Sequence, residues 1–366
     1  MWFAIIGTLA AAFALSLLYL AFRAAHFGFV QKLCGKRRYL ARILCFVFFA
    51  ALAAVLWLLW NMMNAMVCMI HLVVFFLLCD LISAIVSKIR RKKPKRYYAG
   101  AAAIVLCALY LSAGWYAAHH VRQTDYAFES EKITEKIRII QITDVHLGTT
   151  FHAKGFSAHL ERINTLLPDA VVLTGDFVDD DTSREDLIAG CEALGKLQAK
   201  YGVFYVFGNH DRGYFSEARR GWSSADLRGE LLKNGVVILE DTAFEIGGNV
   251  TILGRRDRSV RARQTVQAML AQSEPGRYTV LLDHQPYDFD AQAAAGADLV
   301  LCGHTHGGQF LPINHVGEWI GENALAYGHE TRQNTDFIVS SGISNWAFKF
   351  KTGCFSEFVV IDLKPQ

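Results

Sequence analysis

Up to about residue 120 the chain is a series of long apolar runs, and beyond it short apolar runs alternate with mixed segments. A membrane crossing takes about 20 apolar residues. Four runs come to that length: Trp2 to Phe22, Ile43 to Trp60, Met66 to Val86 and Ala99 to Ala118. Only Asn61-Met62-Met63-Asn64 separates the second from the third, so the pattern predicts a tight helical hairpin there. The first run lacks a charged start and a small-residue cleavage site, which argues against a signal peptide.

From Lys136 onward the pattern changes period. IRIIQITDVH, AVVLTGD, GVFYVFGNHD, YTVLLDH and ADLVLCGHTH read as buried strands with polar ends. SAHLERINTLLPD, REDLIAGCEALGKLQAK, SADLRGELLKNG and RARQTVQAMLAQ repeat apolar residues at helical spacing. VVILEDTAFEI and NVTILG read as paired strands, and DFIVSSGIS and EFVVIDL as later ones. Strands alternating with helices predict stacked α and β layers. The expected division is a four-helix membrane region, residues 1–120, and an α/β domain, residues 121–366.

Composition and charge sharpen this picture. The 366 residues are 52% hydrophobic and 19% charged, and the net charge of +3 hides strong clustering of the basic residues. Lys and Arg concentrate between the first and second runs (Arg23 to Arg42) and between the third and fourth (Lys88 to Arg96). The hairpin has none, so both basic loops are expected on the cytoplasmic side. The α/β domain would then face outward from a plasma membrane. The basic runs lack interleaved aromatics and abut membrane segments, which argues against nucleic acid; contact with lipid headgroups is compatible with them. His71 and Asp80 stand inside the third run, where a helix–helix hydrogen bond or snorkelling towards Lys88 would satisfy them. The eight cysteines show no metal-site or disulfide spacing.

The chemistry lies where strands end. Asp144 and His146 form a D-x-H pair, and extended backbone would turn both to one side. Asp176 and Asp179 follow Gly175, and Asn209, His210 and Asp211 follow an apolar run that would bury them. His284 follows YTVLLD, and His304 and His306 alternate in GHTH among glycines that permit close backbone approach. In open α/β sheets ligands bind at the carboxyl ends of strands, so five sets of metal-capable side chains point to one edge.

In this order the blocks resemble the calcineurin-like metallophosphoesterases, and GHTHGGQ is most similar to their membrane-associated bacterial branch. The resemblance implies a four-layer α/β/β/α sandwich carrying two divalent ions. One would be held by Asp144, His146, Asp176 and His306, and the other by Asp176, Asn209, His284 and His304, with Asp176 bridging. Carboxylates, imidazoles and an amide suit Mn, Fe or Zn. The family mechanism implied is attack by a metal-bridging hydroxide on a phosphate ester, with His210 assisting the leaving group and Asp179 orienting His210. Asp180 and Asp211 depart from the Arg and Glu of protein Ser/Thr phosphatases, which argues against a phosphoprotein phosphatase; the expected substrates are phosphodiesters or small phosphate compounds. Arg255, Arg256, Lys349 and Lys351 are the cations whose contact with substrate is open. One hypothesis makes the substrate lipid-linked, because a short connection joins the last apolar run to Asp144. The alternative is a catalytically silent membrane sensor that only binds metal or ligand.

Overall fold

Long runs of Leu, Ala, Val and Phe form the helices Trp2–Ala24, Arg38–Leu59, Met62–Ile89 and Tyr98–His119, with a short helix Gly28–Leu33 after the first. The computed structural model describes residues 2–35 and 37–366, with the side chains of residues 2–6 and 8–10 outside the description. Among the described residues three helices are long and apolar enough to cross a membrane: Arg38–Leu59, Met62–Ile89 and Tyr98–His119. The first expected span, Trp2 to Phe22, falls partly outside the described side chains, and its described apolar part, Ala11–Ala24, is shorter. Leu44, Val55, Leu77, Ile82 and Leu109 face outward, as on helices surrounded by lipid rather than water. The hairpin turn is two residues, and the Asn61 side chain caps the following helix by accepting the Asn64 N–H at 2.8 Å. Asp80 does not snorkel to Lys88. It pairs with Arg23 at 2.5 Å and accepts the Tyr97 hydroxyl at 2.9 Å. His71 Nδ1 bonds the Val67 carbonyl of its own helix at 2.8 Å.

The chain divides into the units Met1–Gly114 and Trp115–Gln366. The second holds twelve strands: β1 (Arg122–Ser130), β2 (Ile137–Ile142), β3 (Ala170–Thr174), β4 (Val203–Val206), β5 (Val237–Ile238), β6 (Thr242–Ile246), β7 (Val250–Gly254), β8 (Tyr278–Leu282), β9 (Leu299–Cys302), β10 (Gly328–Arg332), β11 (Thr335–Val339) and β12 (Glu357–Pro365). They form two six-stranded sheets, ordered β1-β12-β2-β3-β4-β5 and β10-β11-β9-β8-β7-β6.

Period-two alternation builds the layers. Ile137, Ile139, Ala170, Val172, Phe204 and Val206 face Val250, Ile252, Val280, Leu282, Leu299 and Leu301 of the other sheet. Their neighbours Ile140, Ile142, Val171, Leu173 and Tyr205 face outward onto Phe156, Leu160, Leu187, Cys191 and Leu227 of helices. On the far side Leu281, Val300 and Phe337 meet Met269, Phe289 and Ala293. The result is the four-layer α/β/β/α sandwich of the metallophosphatase fold, with an apolar helical region before it.

VVILEDTAFEI is not one strand. It bends at Asp241, whose φ is 57°, so β5 joins the first sheet through β4 and β6 joins the second through β7. The helix expected over RARQTVQAMLAQ shortens to Val266–Leu270, capped by Thr265.

Candidate metal centre

β2, β3 and β4 run parallel in one sheet, and β8 and β9 run parallel in the other. The residues just past their carboxyl ends meet. His304 N–H donates to Asp144 at 3.0 Å, and His284 Nε2 lies 3.0 Å from Asp176 Oδ2. Two clusters result, Asp144 with His146 and His306, and Asp176 with His284 and His304; within each the ligand atoms lie within 4.8 Å of one another. Asn209 Oδ1 reaches His284 Nε2 at 3.1 Å. Asp176 Oδ2 is also 3.8 Å from His146 Nε2, so this carboxylate faces both clusters.

Extended backbone is not what brings the D-x-H residues together. Chain pairing ends at Ile142, and Asp144 and His146 have φ of 54° and 39°. Asp176, His304 and His306 likewise have φ of 54°, 73° and 51°. Left-handed backbone at a residue with a Cβ costs about 1–2 kcal/mol, and buried hydrogen bonds hold it: Asp144 N–H to Gly175 O and His146 N–H to Asp176 O, both 3.1 Å. Strain of this kind collects at functional sites.

Asp211 is the scaffold that the sequence reading missed. Its carboxylate accepts the N–H groups of Gly208 (2.7 Å), Asp176 (3.0 Å), Phe177 (2.8 Å) and Val178 (3.3 Å), fastening the GNHD turn to the GDFVD turn. The contact is tight: a Cβ on Gly208 would stand 2.2 Å from Asp176 Oδ1. Asp176 Oδ1 in turn accepts the His210 N–H at 2.8 Å. The available signal was an acid in the turn that follows a strand, beside two glycine turns needing N–H acceptors.

Asp179 does not lie against His210 as expected. Its Oδ2 stands 3.2 Å from His146 Nδ1, because Thr182 Oγ1 draws the loop in by donating to Leu147 O at 2.7 Å and accepting the Asp179 N–H at 2.9 Å. His146 Nε2 is thereby turned towards Asp144 and Asp176. His210 is flanked instead by aromatic rings, Tyr214 at 5.0 Å and Trp346 at 5.1 Å. Trp346 is distant in sequence and carried no signal.

The donor set fits divalent ions on its own evidence. Among the described residues, the buried nitrogens His146 Nε2 and His304 Nδ1 have no hydrogen-bond partner, a costly condition unless something else takes their lone pairs, and His306 Nε2 lies 3.6 Å from Asp144 Oδ1. Burial, then the neighbouring His284, holds His304 down at about 4. Burial and His146 hold His306 well below the usual imidazole range, and burial lowers His210. Neutral imidazoles are the form that binds metal. Burial also works to lower His284, but Asp176 and Asp144 outweigh it and raise it well above that range. A cation there takes the place of the proton. The His284 Nδ1 sits 2.7 Å from the Thr174 carbonyl, leaving Nε2 for the site.

The four cations left open by the sequence are already engaged. Arg255 is buried on Asp283 (3.1 Å), and Arg256 lies against Asp241 (3.8 Å). Lys351 donates to Ser341 O, Ser344 O and Ser356 Oγ at 2.7–3.3 Å, and Lys349 to Thr149 O at 2.6 Å. Cys302 is buried in the outer core.

Residues 137–308, the span that contains every one of these turns, match the family described as calcineurin-like phosphoesterase. The match covers just under half of the chain, and this region is similar to that family. The chain is 27% identical over 243 residues to an uncharacterized metallophosphoesterase of Campylobacter jejuni, covering 65% of this chain and 62% of that one. It is 28% identical over 241 residues to one of Helicobacter pylori, covering 64% and 62%. A Bos taurus protein named transmembrane protein with metallophosphoesterase domain is 27% identical over 240 residues, covering 62% and 53%. The chain thus spans about six-tenths of the length of the first curated relatives it matches.

Proposed function

We propose that this chain is a membrane-anchored dimetal phosphoesterase, with residues 1–120 as anchor and 121–366 as catalytic domain. The observation that carries the reading is the convergence of two Asp–His clusters with unpartnered buried imidazole nitrogens on one carboxylate, Asp176. Asp144, His146, Asp176 and His306 would hold one ion, and Asp176, Asn209, His284 and His304 the other. Mn, Fe and Zn all suit these donors. When bound, two such ions would neutralise phosphate oxygens and supply an activated water.

The protein's own groups do the rest. Asp211 fixes the separation of Asp176 from His210 through four backbone N–H groups, and Asp179, 3.2 Å from His146 Nδ1, would steady that ring. His210 would protonate or hydrogen-bond the departing oxygen, in a position buttressed by Tyr214 and Trp346. That aromatic flank supports an organic leaving group, which monoesters and diesters both carry, and a diester is the substrate class proposed. The lipid-linked substrate class and the outward-facing domain complete the proposal, supported by the apolar helices and the basic-loop pattern.

The test is hydrolysis of bis-(p-nitrophenyl) phosphate and p-nitrophenyl phosphate by the full-length protein with Mn, Zn or no metal, beside Asp176→Asn. The expected result is metal-dependent turnover, faster on the diester, reduced in the variant by more than the roughly 10–100-fold typical of groups that merely support a ligand. Turnover indifferent to metal, or surviving in Asp176→Asn, would overturn the assignment.

A further inference from the structure

The stretch after the GHTHGGQ turn has an unusual surface. No lysine or arginine occurs between His306 and Arg332. From 311 to 320 the chain presents Leu311, Ile313, Val316, Trp319 and Ile320 to solvent, with Trp319 72%, Ile320 68% and Ile313 58% exposed. The charge within it is turned inward: Glu318 accepts the Ala326 N–H at 2.6 Å and lies 2.9 Å from His315 Nδ1. The short turn Val316–Trp319 therefore satisfies its polar groups internally and directs its apolar ones outward. Apolar surface of this kind marks a partner.

Contacts on two sides say which partner. Behind the loop, a Cβ on Gly353 would lie 3.7 Å from Leu311 and 3.6 Å from Asn314. Phe355, two residues on, packs against Tyr116 with ring centres 6.2 Å apart, and Ser356 N–H donates to Ala117 O at 3.0 Å. Three peptide units from Gly353 to Ser356 span at most about 11 Å. Trp115 and Tyr116 belong to the last turns of Tyr98–His119, a helix apolar enough to cross a membrane, and exposed aromatics at such ends sit at the headgroup level. In front, Gln309 Nε2 donates to Trp346 O at 3.2 Å, and Phe310 meets Phe348 with ring centres 5.2 Å apart. Trp346 is the ring beside His210.

We infer that residues 311–320 dock into the interfacial layer of the lipid bilayer from which the chain has just emerged, holding the mouth of the metal centre at headgroup level. The docking stands on the loop and its contacts; its consequence for lipid phosphate esters rests on the phosphoesterase reading above. Because the loop lacks basic residues, its attachment is apolar, needs no anionic lipid and is insensitive to salt.

The experiment places a photoreactive benzophenone amino acid at Ile313, at Trp319 or, as control, at the exposed Leu232 of the full-length protein in phosphatidylcholine vesicles. Phospholipid adducts are expected from 313 and 319 at both low and high salt, and none from 232. Adducts to another protein chain, or no lipid adduct from either loop position, would overturn the proposal. A second arm pairs Trp319→Glu with Ile320→Glu. It is expected to leave hydrolysis of the soluble diester unchanged, which also reports folding, and to reduce hydrolysis of lipid phosphate esters in vesicles by about tenfold or more, as loss of interfacial anchoring implies. Lipid adducts without any lipid-ester hydrolysis would keep the docking and remove the lipid-substrate reading; equal hydrolysis of lipid esters by the double variant would remove the link between them.

Discussion

At the scale of single residues, the placement of Asp179 decides between two roles. Had it faced His210, it would tune the departing oxygen's partner and leave metal affinity alone. Standing 3.2 Å from His146 Nδ1, it would instead orient the proposed ligand ring from outside, as carboxylates commonly do for metal-bound histidines. Asp179→Asn is therefore expected to weaken binding of one ion by about 10–100-fold, measured by calorimetric titration of Mn into the metal-free protein. Unchanged affinity with a lowered kcat would return Asp179 to His210. The proposed ligand residues were legible because each follows an apolar strand, where a polar side chain needs a partner. Asp211 was not, since nothing in a linear sequence says that four N–H groups from two separate turns will converge on it.

Among the elements, strands with strict apolar alternation were legible and polar edge strands were not. β1 and β10 carry alternately exposed residues such as Arg122, Glu129, His329 and Thr331, and their strand character comes from pairing with β12 and β11. The β2–β12 pair is held in register by a cross-strand couple: Arg138 stands opposite Asp362 and grips it through Nε at 2.8 Å and Nη2 at 3.0 Å. Arg138, with help from Lys136, holds Asp362 down at about 2, below the roughly 3.9 of an unfolded chain. Its stabilisation is thus complete above about pH 4 and is lost as pH falls towards 2. Asp362→Asn is expected to lower stability by up to about 1 kcal/mol at neutral pH, and the difference from the parent protein should vanish in thermal unfolding near pH 2. A difference that persisted there would assign the effect to packing instead of charge.

At the scale of the whole chain, the proposed topology rests on where the charges are: basic loops before the second and fourth helices, none in the hairpin. The expected outcome is that a tag at the C-terminus is open to protease added outside sealed right-side-out vesicles, while a tag between Arg23 and Arg42 is protected until the vesicles are opened. The reverse pattern would put the phosphoesterase domain on the cytoplasmic side.

What the linear order determined was the set of short-range facts: where apolar period changes from long runs to alternating strands, which residue types end each strand, and where basic residues cluster. These depend only on neighbours along the chain. What tertiary structure alone decided was convergence. The left-handed turns at Asp144, His146, Asp176, His304 and His306 are strained in isolation and exist because buried hydrogen bonds between different strand ends hold them. Trp346 beside His210, Asp179 beside His146 and the apolar loop beside Gly353 likewise join segments far apart in sequence, and only the stacking of two sheets brings such segments into contact.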